Sequence, residues 1–132
     1  MNLYLLSASS LIFILAIAHS VLGEIKILRH LKNVNDLPVL NGIPLLWKNT
    51  NATKLTIRMV WHLATVLAFC IATILFQLSL LTTLTLTETY LVITIGISML
   101  VSCIVSFAFT KGNHASWIAF LVIGVLCVMA VV

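Results

Sequence analysis

The chain has 132 residues, of which 62% are hydrophobic and only 8% are charged, and its mean hydropathy is +1.23. Soluble domains average about 25% charged residues, so this chain lacks the polar surface that a soluble domain needs. Its length and composition predict a single integral membrane domain over residues 1–132. The net charge of +4 does not indicate nucleic-acid binding. The basic residues lie beside apolar segments, where orientation in a bilayer explains them.

Four apolar segments have roughly the 20 residues that a membrane-spanning helix requires. They cover about residues 3–22, 57–81, 90–109 and 115–132. The predicted fold class is therefore all-α, an integral membrane four-helix bundle. The first segment could be mistaken for a signal peptide, but no Lys or Arg precedes it, so we expect it to be retained.

The basic residues lie in two of the three predicted loops. Six of them are in or beside the loop of about residues 23–56, and Lys111 is in the last loop. With four spans these two loops share one face of the membrane, which the positive-inside rule assigns to the cytoplasm. The sequence therefore predicts an N-out, C-out topology.

The first loop contains a short amphipathic pattern. Its apolar positions are Ile25, Ile27, Leu28, Leu31 and Val34. Its polar positions are Lys26, Arg29, His30 and Asn33. The pattern predicts a short helix that lies on the cytoplasmic leaflet.

Small residues recur every four positions on two of the spans. They are Ala64, Ala68 and Ala72 on the second span, and Ser98, Ser102 and Ser106 on the third. Small residues let helices approach closely in lipid, so the two spans are predicted to pack as a hairpin. The serines could line a polar pathway, but we expect each hydroxyl to bond back to its own helix.

Histidines occur at the predicted cytoplasmic ends of the spans. His19 ends the first span, His62 lies one turn inside the second, and His114 opens the fourth. In a compact bundle the three could converge on one site, with Glu24 and Arg58 at its mouth. The alternative is that these residues are separate side chains at a wet interface, and the sequence leaves both open.

Glu24 has two interpretations of its own. It could form a solvated ion pair with a nearby basic residue, which contributes little energy. It could instead orient a neighbouring histidine, as carboxylates often do beside functional imidazoles.

The segments AHSVLGE and IRMVWHLATV carry two short motifs, His-Ser-x-x-Gly-Glu and Arg-x-x-Trp-His-x-x-Thr. In these motifs the first half of the chain resembles a set of small uncharacterised bacterial membrane proteins. The matching positions are His19, Ser20, Gly23, Glu24, Arg58, Trp61, His62 and Thr65. The resemblance implies a four-helix membrane architecture and no assigned activity. We expect the bacterial inner membrane as the location.

Several function classes follow from these features. A structural or accessory membrane protein would bind the lipid bilayer and pack on other membrane subunits, or on a second copy, through its small-residue stripes. A haem or transition-metal protein would use neutral imidazoles, with His19 and His62 as the pair and His114 as a substitute. The sequence does not indicate whether haem or a transition metal would bind.

An enzyme at the cytoplasmic leaflet is a third class, in which a His/Glu pair does acid–base work and Arg58 holds a head group. Its candidate catalytic residues are His19, Glu24, Arg58 and His62. An ion-coupled transporter is disfavoured, because the central parts of the spans contain no Asp, Glu, Lys or Arg.

Overall fold

The computed structural model describes residues 1–30 and 51–132. Within these residues the chain is all-α, as predicted, with four α-helices and one 3₁₀ turn. The elements are α1 (Leu3–Lys26), the 3₁₀ turn (Leu28–His30), α2 (Asn51–Ser79), α3 (Leu86–Thr110) and α4 (Ser116–Met129).

Three of the helices are long and apolar enough to cross a membrane. The apolar segments of α1, α2 and α3 have mean hydropathies of 2.1, 2.2 and 2.4. The fourth helix, α4, has 14 residues. At 1.5 Å per residue it is about 21 Å long, which is shorter than the roughly 30 Å hydrocarbon core. The chain is therefore an integral membrane protein by composition, with three full-length apolar helices and one shorter apolar helix.

The first helix continues about one turn beyond the predicted end of the first span, through Lys26. The predicted amphipathic helix starts within this turn, since Ile25 belongs to α1 and a 3₁₀ turn follows at Leu28–His30. The rest of that predicted helix lies outside the described residues. The additional turn matters because Ser20 and Glu24, four residues apart, now share one face of a single helix.

The third helix begins at Leu86, four residues before the predicted start of the third span. Thr85 Oγ1 accepts a hydrogen bond from the N–H of Glu88 at 3.4 Å, and the Glu88 carboxylate accepts one from the N–H of Thr85 at 2.6 Å. This capping box satisfies two N–H groups that have no partner within the helix. The helix ends where Lys111 and Gly112 adopt left-handed φ angles of 50° and 78°.

The described chain divides into two compact units. Unit 1 comprises Met1–Leu15 and Ala68–Val132, and unit 2 comprises the described residues of Ala16–Leu67. All four helices contribute to the apolar core of unit 1, as expected for a four-helix bundle. The buried core residues are Leu5, Ala8, Ile12, Ala72, Leu75, Leu78, Val92, Ile95, Ile123 and Cys127.

Two glycines form the contact between α3 and α4. A Cβ on Gly124 would lie 3.2 Å from the carbonyl oxygen of Gly96, and a Cβ on Gly96 would lie 3.0 Å from the Cβ of Cys127. Glycines allow two helix backbones to approach closely. The helix that α3 approaches in this way is α4.

The small residues on α2 and those on α3 take part in different hydrogen bonds. Ser98 and Ser102 donate hydrogen bonds to the carbonyl oxygens of Thr94 and Ser98, both at 2.8 Å. This confirms the expectation for Ser98 and Ser102, whereas the hydroxyl of Ser106 contacts that of Ser116 on α4. On α2, the carbonyl oxygen of Ala72 accepts a hydrogen bond from Ser9 Oγ at 2.7 Å. A hairpin packed through both stripes stays a prediction.

The start of α1 lies beside the ends of α2 and α4. The backbone N–H of Asn2 donates to the carbonyl oxygen of Ser79 at 2.8 Å, and its Nδ2 donates to that of Ala130 at 2.9 Å. Asn2 Oδ1 also accepts from the N–H of Leu5 at 3.2 Å, which caps α1. These three helix termini therefore meet at one end of unit 1.

Candidate functional site

Unit 2 contains both sequence motifs, one on each of two helices. Ser20 and Glu24 lie on α1, and Arg58 and His62 lie on α2. The two residues of each pair are four positions apart, so their side chains emerge on the same face of their helix.

Trp61 packs against the motif on α1. Its indole stacks on the His19 ring with centroids 4.4 Å apart and an interplanar angle of 5°. Its Nε1–H donates a hydrogen bond to the carbonyl oxygen of His19 at 3.0 Å. A Cβ on Gly23 would lie 2.1 Å from that same Nε1. The contact therefore requires glycine at this position.

A hydroxyl, an imidazole and a carboxylate form a chain across the two helices. Ser20 Oγ lies 3.1 Å from Nδ1 of His62. His62 Nε2 lies 3.6 Å from Oε2 of Glu24. In the tautomer that carries its proton on Nε2, which faces the carboxylate, His62 presents the lone pair of Nδ1 to the hydroxyl of Ser20.

The second carboxylate oxygen of Glu24, Oε1, pairs with Nη2 of Arg58. The ion pair predicted for Glu24 is therefore present, and its other oxygen faces His62 at a distance too long for a hydrogen bond, so the orienting role stays a prediction. The Arg58 side chain is 48% exposed, so the ion pair is partly solvated and stabilises the fold by at most about 1 kcal/mol. Oε2 is buried and accepts no hydrogen bond from the described part of the chain.

His114 belongs to unit 1 and not to the unit that holds the other candidate residues. Its Nδ1 lies 2.8 Å from Oγ of Ser116 and accepts from the backbone N–H of Ser116 at 3.2 Å. These contacts form at the start of α4, where the imidazole accepts a hydrogen bond from a first-turn N–H that has no partner within the helix. The convergence of His114 with the other histidines stays a prediction.

Metal binding also stays a prediction for His19, His62 and His114. In residues 1–30 and 51–132, no group of three or more His, Cys, Asp or Glu side chains is placed to hold a metal ion. Each ring nitrogen of His62 already has a neighbour, Ser20 at one and Glu24 at the other. Haem iron would have to displace one of them to bind there.

Of the five predicted site residues, the structure gathers four into unit 2: His19, Glu24, Arg58 and His62. The sequence analysis named Ser20 as a motif position but not as a candidate site residue, although its hydroxyl lies 3.1 Å from Nδ1 of His62. The available signal was the matched spacing of Ser20 with Glu24 and of Arg58 with His62.

Comparison with known proteins adds no assignment. No protein-family model, curated protein or solved structure matches this chain.

Proposed function

We propose that this chain is a multi-pass membrane protein with a structural or accessory role, which it performs by packing α3 against another helix in the bilayer. Its basic loops are cytoplasmic in this proposal, and its location is the bacterial inner membrane. We also propose, on the basis of the two motifs in unit 2, that it is related to the small bacterial membrane proteins that it resembles.

The exposure of α3 is the observation that supports this role. Only 11% of its apolar segment is buried inside the chain, compared with 28% for α1. Lipid can cover such a surface, but a helix that packs on α4 through one face and is otherwise exposed also offers area for another helix.

The exposed surface of α3 includes the small residues that favour helix association. At 3.6 residues per turn, Ser98 projects roughly 160° away from Gly96, the residue that contacts α4. Ser98 is exposed, and its hydroxyl is already bonded within its own helix. A partner helix could therefore approach this surface without leaving a polar group unsatisfied.

Site-specific photo-crosslinking in the native membrane tests the proposal. A photo-crosslinking amino acid in place of Ser98 is expected to give a discrete product several-fold more efficiently than one in place of Ile104. Ile104 is the matched control because it is 68% exposed on the same helix and projects roughly 120° away from Ser98. A product of twice the chain mass identifies a second copy, and another mass identifies a different subunit. Equal yields at the two positions, or no product, would contradict the role.

A further inference from the structure

We propose that Ser20, His62 and Glu24 form a nucleophile–base–carboxylate site that hydrolyses carboxylic esters of membrane amphiphiles. This activity goes beyond the accessory role and does not depend on it. The proposal rests on the order of the three groups: hydroxyl to imidazole at 3.1 Å, and imidazole to carboxylate at 3.6 Å. A nucleophile next to a base that a third group orients is the recurring arrangement of covalent catalysis.

The hydrogen bond of Ser20 differs from those of several other helical hydroxyls in this chain. Thr73, Ser98 and Thr110 each donate to the carbonyl oxygen four residues earlier in their own helix. That is the usual bond for a hydroxyl on an apolar helix. Ser20 instead contacts an imidazole on a different helix. Its oxygen is therefore placed next to a base rather than used up by the helix backbone.

Each member of the chain has a defined role. His62 Nδ1 takes the proton of Ser20 Oγ, and Glu24 stabilises the imidazolium that forms. Glu24 is a positioning residue, and Arg58 fixes it by pairing with its other oxygen. The 3.6 Å distance between His62 and Glu24 is longer than a hydrogen bond, as is common in catalytic sites before substrate binds. The buried, unpartnered Oε2 is the atom that this step would use.

The surroundings indicate an amphiphilic substrate. The His62 side chain is 42% exposed, so the base is accessible from outside the protein. Ile17, Val21 and Leu63 are exposed apolar side chains of the same unit. An acyl chain can lie along such a surface while its ester carbonyl reaches the polar chain at the end of the apolar segment.

The reaction balances with water as the only co-substrate. Ser20 Oγ attacks the ester carbonyl carbon and its proton passes to His62. The bond from that carbon to the leaving oxygen breaks, and the imidazolium returns the proton to the departing alcohol. Water then attacks the acyl-serine with His62 as the base, which releases the carboxylic acid and restores the Ser20 hydroxyl.

A second Ser–His pair in the chain provides an internal comparison. His114 Nδ1 lies 2.8 Å from Ser116 Oγ, which is closer than the Ser20–His62 contact. His62, however, also faces the carboxylate of Glu24, whereas the contacts of His114 are with Ser116. If orientation by a carboxylate is what activates the hydroxyl, Ser20 reacts and Ser116 does not.

Covalent labelling of the full chain in lipid vesicles tests this inference. The probe is an alkyl fluorophosphonate, whose fluoride is displaced by an activated serine. Peptide mass mapping of the wild-type protein is expected to place the adduct on Ser20 and not on Ser116. His62→Gln is expected to lower the labelling rate by about 100-fold or more, the usual contribution of a general base. Glu24→Gln should lower it as well, and Glu24→Asp should restore part of the rate.

Turnover is measured in the same vesicles with 4-nitrophenyl decanoate. Ser20→Ala is expected to abolish hydrolysis, whereas Ser116→Ala should leave it unchanged. Absence of a Ser20 adduct in the wild-type protein, equal labelling of Ser20 and Ser116, or an undiminished rate in folded His62→Gln would each overturn the site. The comparison of Ser20 with Ser116 in the wild-type protein does not depend on the folding of any variant. For the variants, circular dichroism verifies that the helical content is retained.

Discussion

Gly23 leaves the space that the indole of Trp61 fills. The clearance is so small that a Cβ at this position would overlap the ring, at 2.1 Å from Nε1. Two further contacts depend on the same ring position, namely the stacking on His19 and the hydrogen bond to its carbonyl oxygen. The absence of a side chain at Gly23 on α1 thereby allows Trp61 of α2 to occupy this position.

Replacing Gly23 with alanine is therefore expected to destabilise the protein, although alanine is the better helix former. Alanine gains about 0.5–1 kcal/mol of helix propensity over glycine, whereas forcing extra volume into a packed contact costs about 1–3 kcal/mol. We expect Gly23→Ala to lower the Tm in detergent. Ala64→Leu, which adds bulk at an exposed position of α2, is the control and should leave the Tm nearly unchanged. A Tm of Gly23→Ala at or above that of the wild type would show that Trp61 moves aside without cost.

Glu24 illustrates how two weak contacts define one geometry. Its ion pair with Arg58 is partly solvated, and His62 is beyond hydrogen-bond distance, so neither contact stabilises the fold strongly. Together they use both carboxylate oxygens, which restricts the rotation of the side chain. In the proposed site, Glu24 would therefore act by orienting His62 and would add little to the stability of the fold.

At the level of the elements, α3 depends on its N-terminal cap. Helix termini leave N–H groups without partners, and Thr85 and Glu88 satisfy two of them reciprocally. The helix that this cap begins starts four residues before the predicted span, and Glu88 lies in its first turn.

Removing this cap is expected to destabilise α3 by about 1 kcal/mol, the usual cost of losing an N-cap hydroxyl. Thr85→Ala should lower the Tm and should increase hydrogen exchange of the amides in the first turn of α3. Thr87→Ala, an exposed threonine two residues later, is the matched control. Equal exchange in the two variants would mean that solvent replaces the cap at no cost.

The existence of the helices could be predicted from the sequence, whereas their ends could not. Apolar runs reveal which segments are helical, because a bilayer requires continuous hydrophobicity. They do not reveal where a helix continues after the run ends, as α1 does through Lys26. That extension is what aligns Ser20 with Glu24. Ser20 and His62 lie on different helices and are 42 positions apart in the sequence. No local sequence pattern encodes such a pairing.

For the whole molecule, the topology depends on whether the short helix α4 crosses the bilayer. If the positive-inside rule applies, the loops before α2 and before α4 share one side, which requires both α2 and α3 to cross but places no requirement on α4. The 14 residues of α4 are few for a full crossing. Tilting does not help a helix that is too short to span the bilayer. Local thinning of the bilayer can accommodate it, at a cost of fractions of a kcal/mol per Å of hydrophobic mismatch.

The hydrogen bonds of Asn2 favour four crossings. They join the start of α1 to the end of α4, so the two chain termini lie at one end of unit 1. If α1 crosses the bilayer with its start outside, the end of α4 has to be outside as well. Single cysteines replacing Asn113 and Val132, in a background without Cys70, Cys103 and Cys127, provide the test.

In intact cells, a membrane-impermeant maleimide is expected to label Val132→Cys, and to label Asn113→Cys only after permeabilisation. Thr83→Cys, in the connection between α2 and α3, is the positive control for the outer face. Labelling of Asn113→Cys alone in intact cells would reverse the whole orientation and contradict the charge argument. If neither Asn113→Cys nor Val132→Cys reacts until the cells are permeabilised, α4 does not cross. The apolar surface of α4 would then be held within the cytoplasmic leaflet, and the contact of Asn2 with Ala130 would have to break in the membrane.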